Sequence, residues 1–161
     1  MSEKRDLYSN LGFFRALNPQ TAAAAATGET IDLRDYDAAM IVADVYTLTS
    51  ALSADIGWKL VLQHGLASAA GVSTWSNVPG SLFLHSVYGG IASTGETGVF
   101  KTVGSTSDSG ITMIGYKGDG AHRYLRVYLS LSGTPVSNGI TVGAVALTGN
   151  AHLWPVNVAV Q

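Results

Sequence analysis

The sequence predicts an all-β protein, an antiparallel β-sandwich of jelly-roll type with an N-terminal arm. Two observations indicate this class. From residue 29 onward, short segments with apolar residues in alternation are separated by turns rich in glycine, proline, serine and aspartate. The same region shows no helical period and no internal repeat, which argues against a solenoid or a propeller. Many short strands joined by frequent turns are typical of β-sandwich and β-barrel proteins.

The first half of this region holds five candidate strands. ETIDL places Ile31 and Leu33 on one face, and RDYD ends it with a turn. AAMIVADVYTLT is apolar on both faces, which predicts a central or covered strand. WKLVLQHG places Trp58, Leu60 and Leu62 on one face and Lys59, Val61 and Gln63 on the other. STWSNV and SLFLH follow, and the Pro79-Gly80 pair marks the turn between them.

The second half adds the remaining strands. VFKTV and ITMIGY are short candidates, and KGDG is a turn whose glycines permit positive φ. HRYLRVYLSLSG is the most regular segment, with four apolar residues on one face and tyrosine, arginine and serine on the other. ITVGAVALTG closes the sheet, and AHLWPVNVAVQ is a tail that would add an edge strand. The total of eight or nine strands suits a jelly roll.

Residues 1–28 form the predicted arm, and residues 29–161 form the sandwich domain. SEKRDLYSNLGFFRAL has the spacing of a short helix, with Leu7, Leu11 and Phe14 on one stripe, although Gly12 weakens it. Pro19 would end that helix. Because Phe13 and Phe14 would be poorly soluble if exposed, we expect the arm to lie on a neighbouring subunit. Deleting residues 1–18 should then leave a folded domain that attaches more weakly to its partner.

Composition excludes several classes of function. The 161 residues include no cysteine, which removes thiol catalysis and disulfides. Charged residues make up 12% of the chain, with a net charge of −2 and no basic block, so we expect no nucleic-acid partner. No apolar run approaches the ~20 residues of a membrane span, and the N-terminus lacks the apolar core of a signal peptide.

A search for catalytic chemistry finds no established motif. The four histidines are isolated in sequence, at positions 64, 85, 122 and 152. IDLRDYD clusters three aspartates but lacks the EF-hand pattern, and Asp44 is a lone acid on an apolar strand. Neither a nucleophile elbow nor a phosphate loop is present. We therefore expect a protein that acts by binding, with no catalytic residue, no metal and no cofactor.

The placement of aromatic and arginine residues is the sequence feature that indicates a contact surface. Tyr116, Tyr124, Arg126 and Tyr128 lie on two consecutive candidate strands, and if these pair as a hairpin their outward faces form one patch. Tyrosine and arginine are enriched in protein contact surfaces. Cross-strand aromatic pairs also stabilise an ordinary sheet, so structural support and partner contact are equally compatible with the pattern. A homo-oligomer would add the contacts of Leu7, Leu11, Phe13 and Phe14 in the arm.

Several segments together resemble a group of small proteins encoded among the head genes of tailed bacteriophages. The resemblance rests on Asp32-Leu33 with Tyr36, on Gly115-Tyr116, on Arg123-Tyr124 with Arg126, and on Pro155-Val156, and it covers about residues 29–157. The chain departs from the pattern by extra residues at 119–121, which lengthen one turn.

This resemblance implies a virion structural protein, a capsid decoration or cement protein assembled in the host cytoplasm. Such a protein sits on the capsid exterior, often as a homotrimer, and binds the major capsid protein. One alternative is a head–tail connector or tail component. Another is a carbohydrate-binding sandwich, with Trp58, Trp75 and Trp154 as candidate sugar platforms. An enzyme is a third, and two convergent acids or a histidine-lined metal site in a pocket would favour it.

Overall fold

The computed structural model describes residues 11–34, 36, 38–46, 57–84, 97–133 and 139–149. Strands dominate these residues, and the two helical elements are short 3-10 turns at Gly80–Leu82 and Thr106–Asp108. No described helix has the length and apolarity that a membrane crossing needs. The strands are β1 Leu11–Ala22, β2 Ala26–Thr27, β3 Ile31–Asp32, β4 Ala38–Tyr46, β5 Gly57–Ser68, β6 Gly71–Asn77, β7 Phe83–Leu84, β8 Val99–Val103, β9 Gly110–Lys117, β10 His122–Ser132 and β11 Ile140–Gly149.

Two antiparallel sheets pack face to face, which confirms the predicted β-sandwich. Sheet A has the order β1-β11-β4-β9-β7, and sheet B has the order β2-β10-β5-β6, with β3 paired to β10 and β8 paired to β5. The first and last long strands are neighbours in sheet A, and the chain repeatedly crosses from one sheet to the other. The strands of each sheet are therefore brought together from distant parts of the chain, as in a β-sandwich.

The core lies between the sheets and follows from strand alternation. On β10 the buried residues are Leu125, Val127 and Leu129, while Tyr124 and Arg126 point away from the core. β4 and β11 contribute several buried alanines to this core. The largest fully buried side chains are Trp58, Tyr116, Phe100, Leu17, Ile31, Ile41, Leu60, Leu62, Ile114, Leu125, Leu129 and Ile140. Trp58 is therefore a core residue, and its ring is not exposed as a sugar platform would be.

The predicted helix and detached arm are wrong for residues 11–28. Residues Leu11–Ala22 form strand β1, which pairs with β11 along its length, and Leu17 is 1% exposed in the core. Gly28 continues this attachment, because its N–H donates to the carbonyl of Val127 at 2.8 Å. A Cβ at Gly28 would lie 1.9 Å from the Ala16 carbonyl oxygen, so only glycine fits there. Tertiary pairing with β11 outweighs the weak local helical spacing.

The predicted hairpin of β9 and β10 is also wrong. β9 pairs with β4 and β7 in sheet A, whereas β10 pairs with β5 in sheet B. The segment between them, residues 118–121, carries the chain from one sheet to the other. Tyr116 is consequently buried, at 0% exposure, and does not share a surface with Tyr124 and Tyr128. Leu7, Trp154 and the tail 151–161 lie outside the described residues.

Candidate functional site: two opposite sheet faces

The outward side of sheet A carries apolar residues in cross-strand rows, and we name it the apolar face. The strand register defines the rows, because residues paired across strands share a face. From β1 to β9 the rows are Phe13–Leu147–Met40–Gly115, Arg15–Val145–Val42–Met113, Gly143–Asp44–Ile111 and Thr141–Tyr46. The face spans roughly 14 Å across four strands and roughly 20 Å along them.

The apolar face is strongly exposed. The exposed fraction is 72% for Ile111, 64% for Phe13, 62% for Tyr46 and 49% for Val145. A groove of about 650 Å³ crosses this face, and its lining is mostly apolar. Among the lining residues that the structure describes, Arg15 and Asp44 are the one basic and the one acidic residue. Its extent of roughly 280 Å² is close to that of the largest apolar patch on a typical monomer, and such patches are often contact sites.

The outward side of sheet B is different, and we name it the polar face. It is formed by four rows across β10, β5 and either β6 or β8. In one row Arg126 donates from Nε to Oε1 of Gln63 at 2.8 Å, and Gln63 donates from Nε2 to Oδ1 of Asn77 at 2.9 Å. The guanidinium of Arg126 also stacks on the ring of Trp75, 4.2 Å from its centroid. Burial lowers the pKa of Arg126.

A bulge between His122 and Tyr124 shapes the end of the polar face. Arg123 lies at this bulge, 5.0 Å from the ring centroid of Tyr124. It binds Asp32 through two nitrogens, with 2.7 Å from Nε to Oδ1, a bidentate ion pair. The hydrogen bond from Arg123 is the main reason why the pKa of Asp32 lies below its usual range. The pair fixes β3 against β10.

A histidine cluster lies where the β9–β10 turn meets β5. The rings of His64 and His122 stack with centroids 3.6 Å apart and planes 12° apart. Nδ1 of His122 lies 2.6 Å from Oδ2 of Asp119, and Nδ1 of His64 lies 3.9 Å from the same oxygen. The hydroxyl of Tyr116 is 3.3 Å from Nδ1 of His64. The histidines are distant in sequence, so sequence spacing gave no signal of this cluster.

Burial sets the charges in the cluster. It lowers the pKa of His64, and the neighbouring His122 lowers it further. Burial raises the pKa of Tyr116, so the phenol stays protonated and its hydroxyl can donate a hydrogen bond to Nδ1 of His64. Burial would also raise the pKa of Asp119, but hydrogen bonds from the backbone and ring of His122 outweigh it and hold that pKa at about 2. One carboxylate thus faces two imidazoles.

His64, Asp119 and His122 are the described residues whose ligand atoms approach closely enough to hold a metal ion, within 4.8 Å of one another. The stacking of the rings works against such a site. The imidazole lone pairs lie in the ring planes, so an ion in the plane of one ring lies well outside the plane of the other. The arrangement suits a hydrogen-bonded cluster in which the carboxylate of Asp119 accepts from the backbone N–H of His122 and lies 2.6 Å from Nδ1 of its ring.

The structure separates the predicted contact residues into three places. Phe13 lies on the apolar face, while Phe14 is half-buried beneath it, edge-on to Tyr36 with ring centroids 6.1 Å apart. Leu11 is also half-buried, at the start of β1. Tyr124, Arg126 and Tyr128 lie together on the polar face, and Tyr116 lies in the core. Ile111, Tyr46 and Val145 lie on the apolar face and were not predicted as contact residues. For Tyr46 a signal existed, because its segment AAMIVADVYTLT is apolar on both faces.

Comparison with protein-family models, with curated proteins and with solved structures found no match for this chain.

Proposed function

We propose that this protein is a structural subunit of a phage virion, a capsid decoration protein that stabilises the head by binding major capsid subunits. The observation that carries a structural role is the exposed apolar face of sheet A. The resemblance of residues 29–157 to small phage head proteins supports the assignment to the virion. The mechanism is binding alone, through surfaces that the sandwich holds rigidly.

The apolar face is the surface through which copies of the chain associate in this proposal. Its described lining contains one basic residue, Arg15, and one acidic residue, Asp44, so these charges are balanced and call for no oppositely charged foreign partner. Copies related by symmetry can bring the arginine of one near the aspartate of the next. We propose a homotrimer, on the capsid exterior, whose joined subunits bind the shell at several points and gain from effective concentration.

Val145→Asp tests the role of the apolar face. Val145 lies on the interior strand β11, between β1 and β4, and is 49% exposed. A charge buried at that position in a contact should cost several kcal/mol, so the variant should be monomeric and should occupy purified capsids poorly. Thr102→Asp is the matched control, because Thr102 is an exposed strand residue on the opposite face. Solution mass and occupancy of capsids measure the two effects.

A folded Val145→Asp protein that keeps the oligomeric mass and the capsid occupancy of the wild type would contradict this role. Loss of self-association with normal capsid occupancy would contradict the trimer but keep the decoration function. A connector or tail component, the alternative within the same class, would be located at the portal vertex or tail by electron microscopy of labelled particles.

A further inference from the structure

The polar face holds a second cavity, distinct from the groove on the apolar face. It has a volume of about 410 Å³, within the range of small-ligand sites. It opens above the row that joins Tyr128, Val61 and Val99. The described residues that line it are Lys59, Val61, Gln63, Asn77, Thr97, Val99, Tyr128 and Ser130.

The cavity has an apolar floor. Val61 and Val99 are each 5% exposed although Val61 lies on the outward side of its sheet. Tyr128 stands beside them on β10, and its hydroxyl forms no hydrogen bond with a described residue. The half-buried ring of Tyr128 therefore offers most of the apolar surface that a flat ligand with C–H groups can cover, and the two valines offer a small part. The polar edge of such a ligand can reach the phenol.

The rims of the cavity are polar and well oriented. On one side Arg126 can only donate, so Gln63 must present its oxygen to Arg126 and its NH₂ to Asn77. Asn77 in turn accepts with its oxygen, and both N–H groups of its Nδ2 are without a partner in the described part of the chain. On the other side Lys59 and Ser130 pair across β5 and β10.

We propose that this cavity binds a saccharide, with one sugar ring over Val61 and Val99 against Tyr128. Sugar rings combine an apolar C–H face with hydroxyls that both donate and accept, and the cavity offers an apolar floor between two polar rims. A purely apolar ligand would leave the Asn77 amide unpaired, which is costly. A protein partner would require a broader apolar centre, which the apolar face has and this cavity lacks.

The site is independent of the proposed assembly contact. The outer faces of the two sheets of a sandwich point in opposite directions, so a subunit bound on the apolar face leaves the polar face open to solvent. Failure of saccharide binding would therefore leave the proposed structural role untouched, and failure of that role would leave the saccharide site untouched.

The test begins with the full-length protein on an array of neutral and acidic glycans, followed by calorimetric titration of the best saccharide. Asn77→Ala and Tyr128→Ala should each weaken binding by about tenfold, the loss of one hydrogen bond or one ring contact. Tyr124→Ala is the matched control, since Tyr124 lies on the same face of β10 but does not line the cavity. Its affinity should equal that of the wild type.

Absence of binding to any glycan at millimolar concentration would overturn the proposal. Equal loss in the Tyr124 control and the cavity variants would overturn the location of the site. Reduced occupancy of capsids by Asn77→Ala or Tyr128→Ala, without saccharide binding by the wild type, would show a protein contact instead. Thermal unfolding of each variant separates these outcomes from misfolding.

Discussion

Two isoleucines on β9 provide a sharp test of the sandwich and of its apolar face together. Ile111 and Ile114 are three residues apart on one strand, so they point to opposite sides of sheet A. Ile114 is 1% exposed in the core, whereas Ile111 is 72% exposed on the apolar face. The same substitution, to alanine, therefore removes the same atoms from two different environments.

The expected losses of stability differ severalfold. Ile114→Ala should lower the free energy of unfolding by about 2–5 kcal/mol, because it removes buried groups and leaves a cavity. Only about a quarter of Ile111 is covered, so Ile111→Ala loses little buried apolar area. The free energy of unfolding should then fall by roughly 0.5 kcal/mol. In a domain of this size those changes correspond to melting temperatures lower by about 5–15 °C and about 1–2 °C.

The two substitutions should affect self-association in the reverse order, with the larger loss in Ile111→Ala. If the exposed part of Ile111 is buried between copies, its removal costs roughly 1–2 kcal/mol of association, or about 5–30-fold in the dissociation constant. Denaturant unfolding at low protein concentration measures the first effect, and sedimentation equilibrium measures the second. Equal destabilisation of the two variants would refute the assignment of faces, and unchanged association of Ile111→Ala would refute the burial of this residue between copies.

Three further predictions concern the histidine cluster, the N-terminus and the ion pair on β3. Burial lowers the pKa of His64 in the folded protein, so the unfolded chain takes up the proton first. The stability from this group is then complete above pH about 6.5 and declines as the pH falls, and a His64→Gln variant, compared by urea unfolding between pH 5 and 8, should lack that slope. Deleting residues 1–18 should abolish folding, because it removes Leu17 and most of β1, whereas deleting residues 1–10 should keep the circular dichroism of the sandwich. Asp32→Asn should cost at most about 1 kcal/mol, since the carboxylate is 41% exposed and screened by solvent, and added salt should reduce the difference in denaturant unfolding.

The apolar and polar faces show why sequence alternation has limited power for function. Alternation on β10 correctly separated Leu125 and Leu129 from Tyr124 and Arg126. On β4 and β11 both faces are apolar, so alternation gave no sign of which residues lie in the core and which lie on the surface. Ile41 is fully buried and Tyr46 is 62% exposed, and only the packing of sheet B against one side of sheet A distinguishes them.

The sequence by itself determined the all-β class, the sandwich, most strand positions and the inward face of β10, because these depend on local alternation and turn residues. Tertiary structure alone decided that β1 joins the sheet, that β9 and β10 lie in different sheets, and that His64 meets His122 and Asp119. Those features depend on which strands become neighbours. Hydrogen bonds between distant segments make that choice, and their free energy is not encoded in the spacing of residues along one strand.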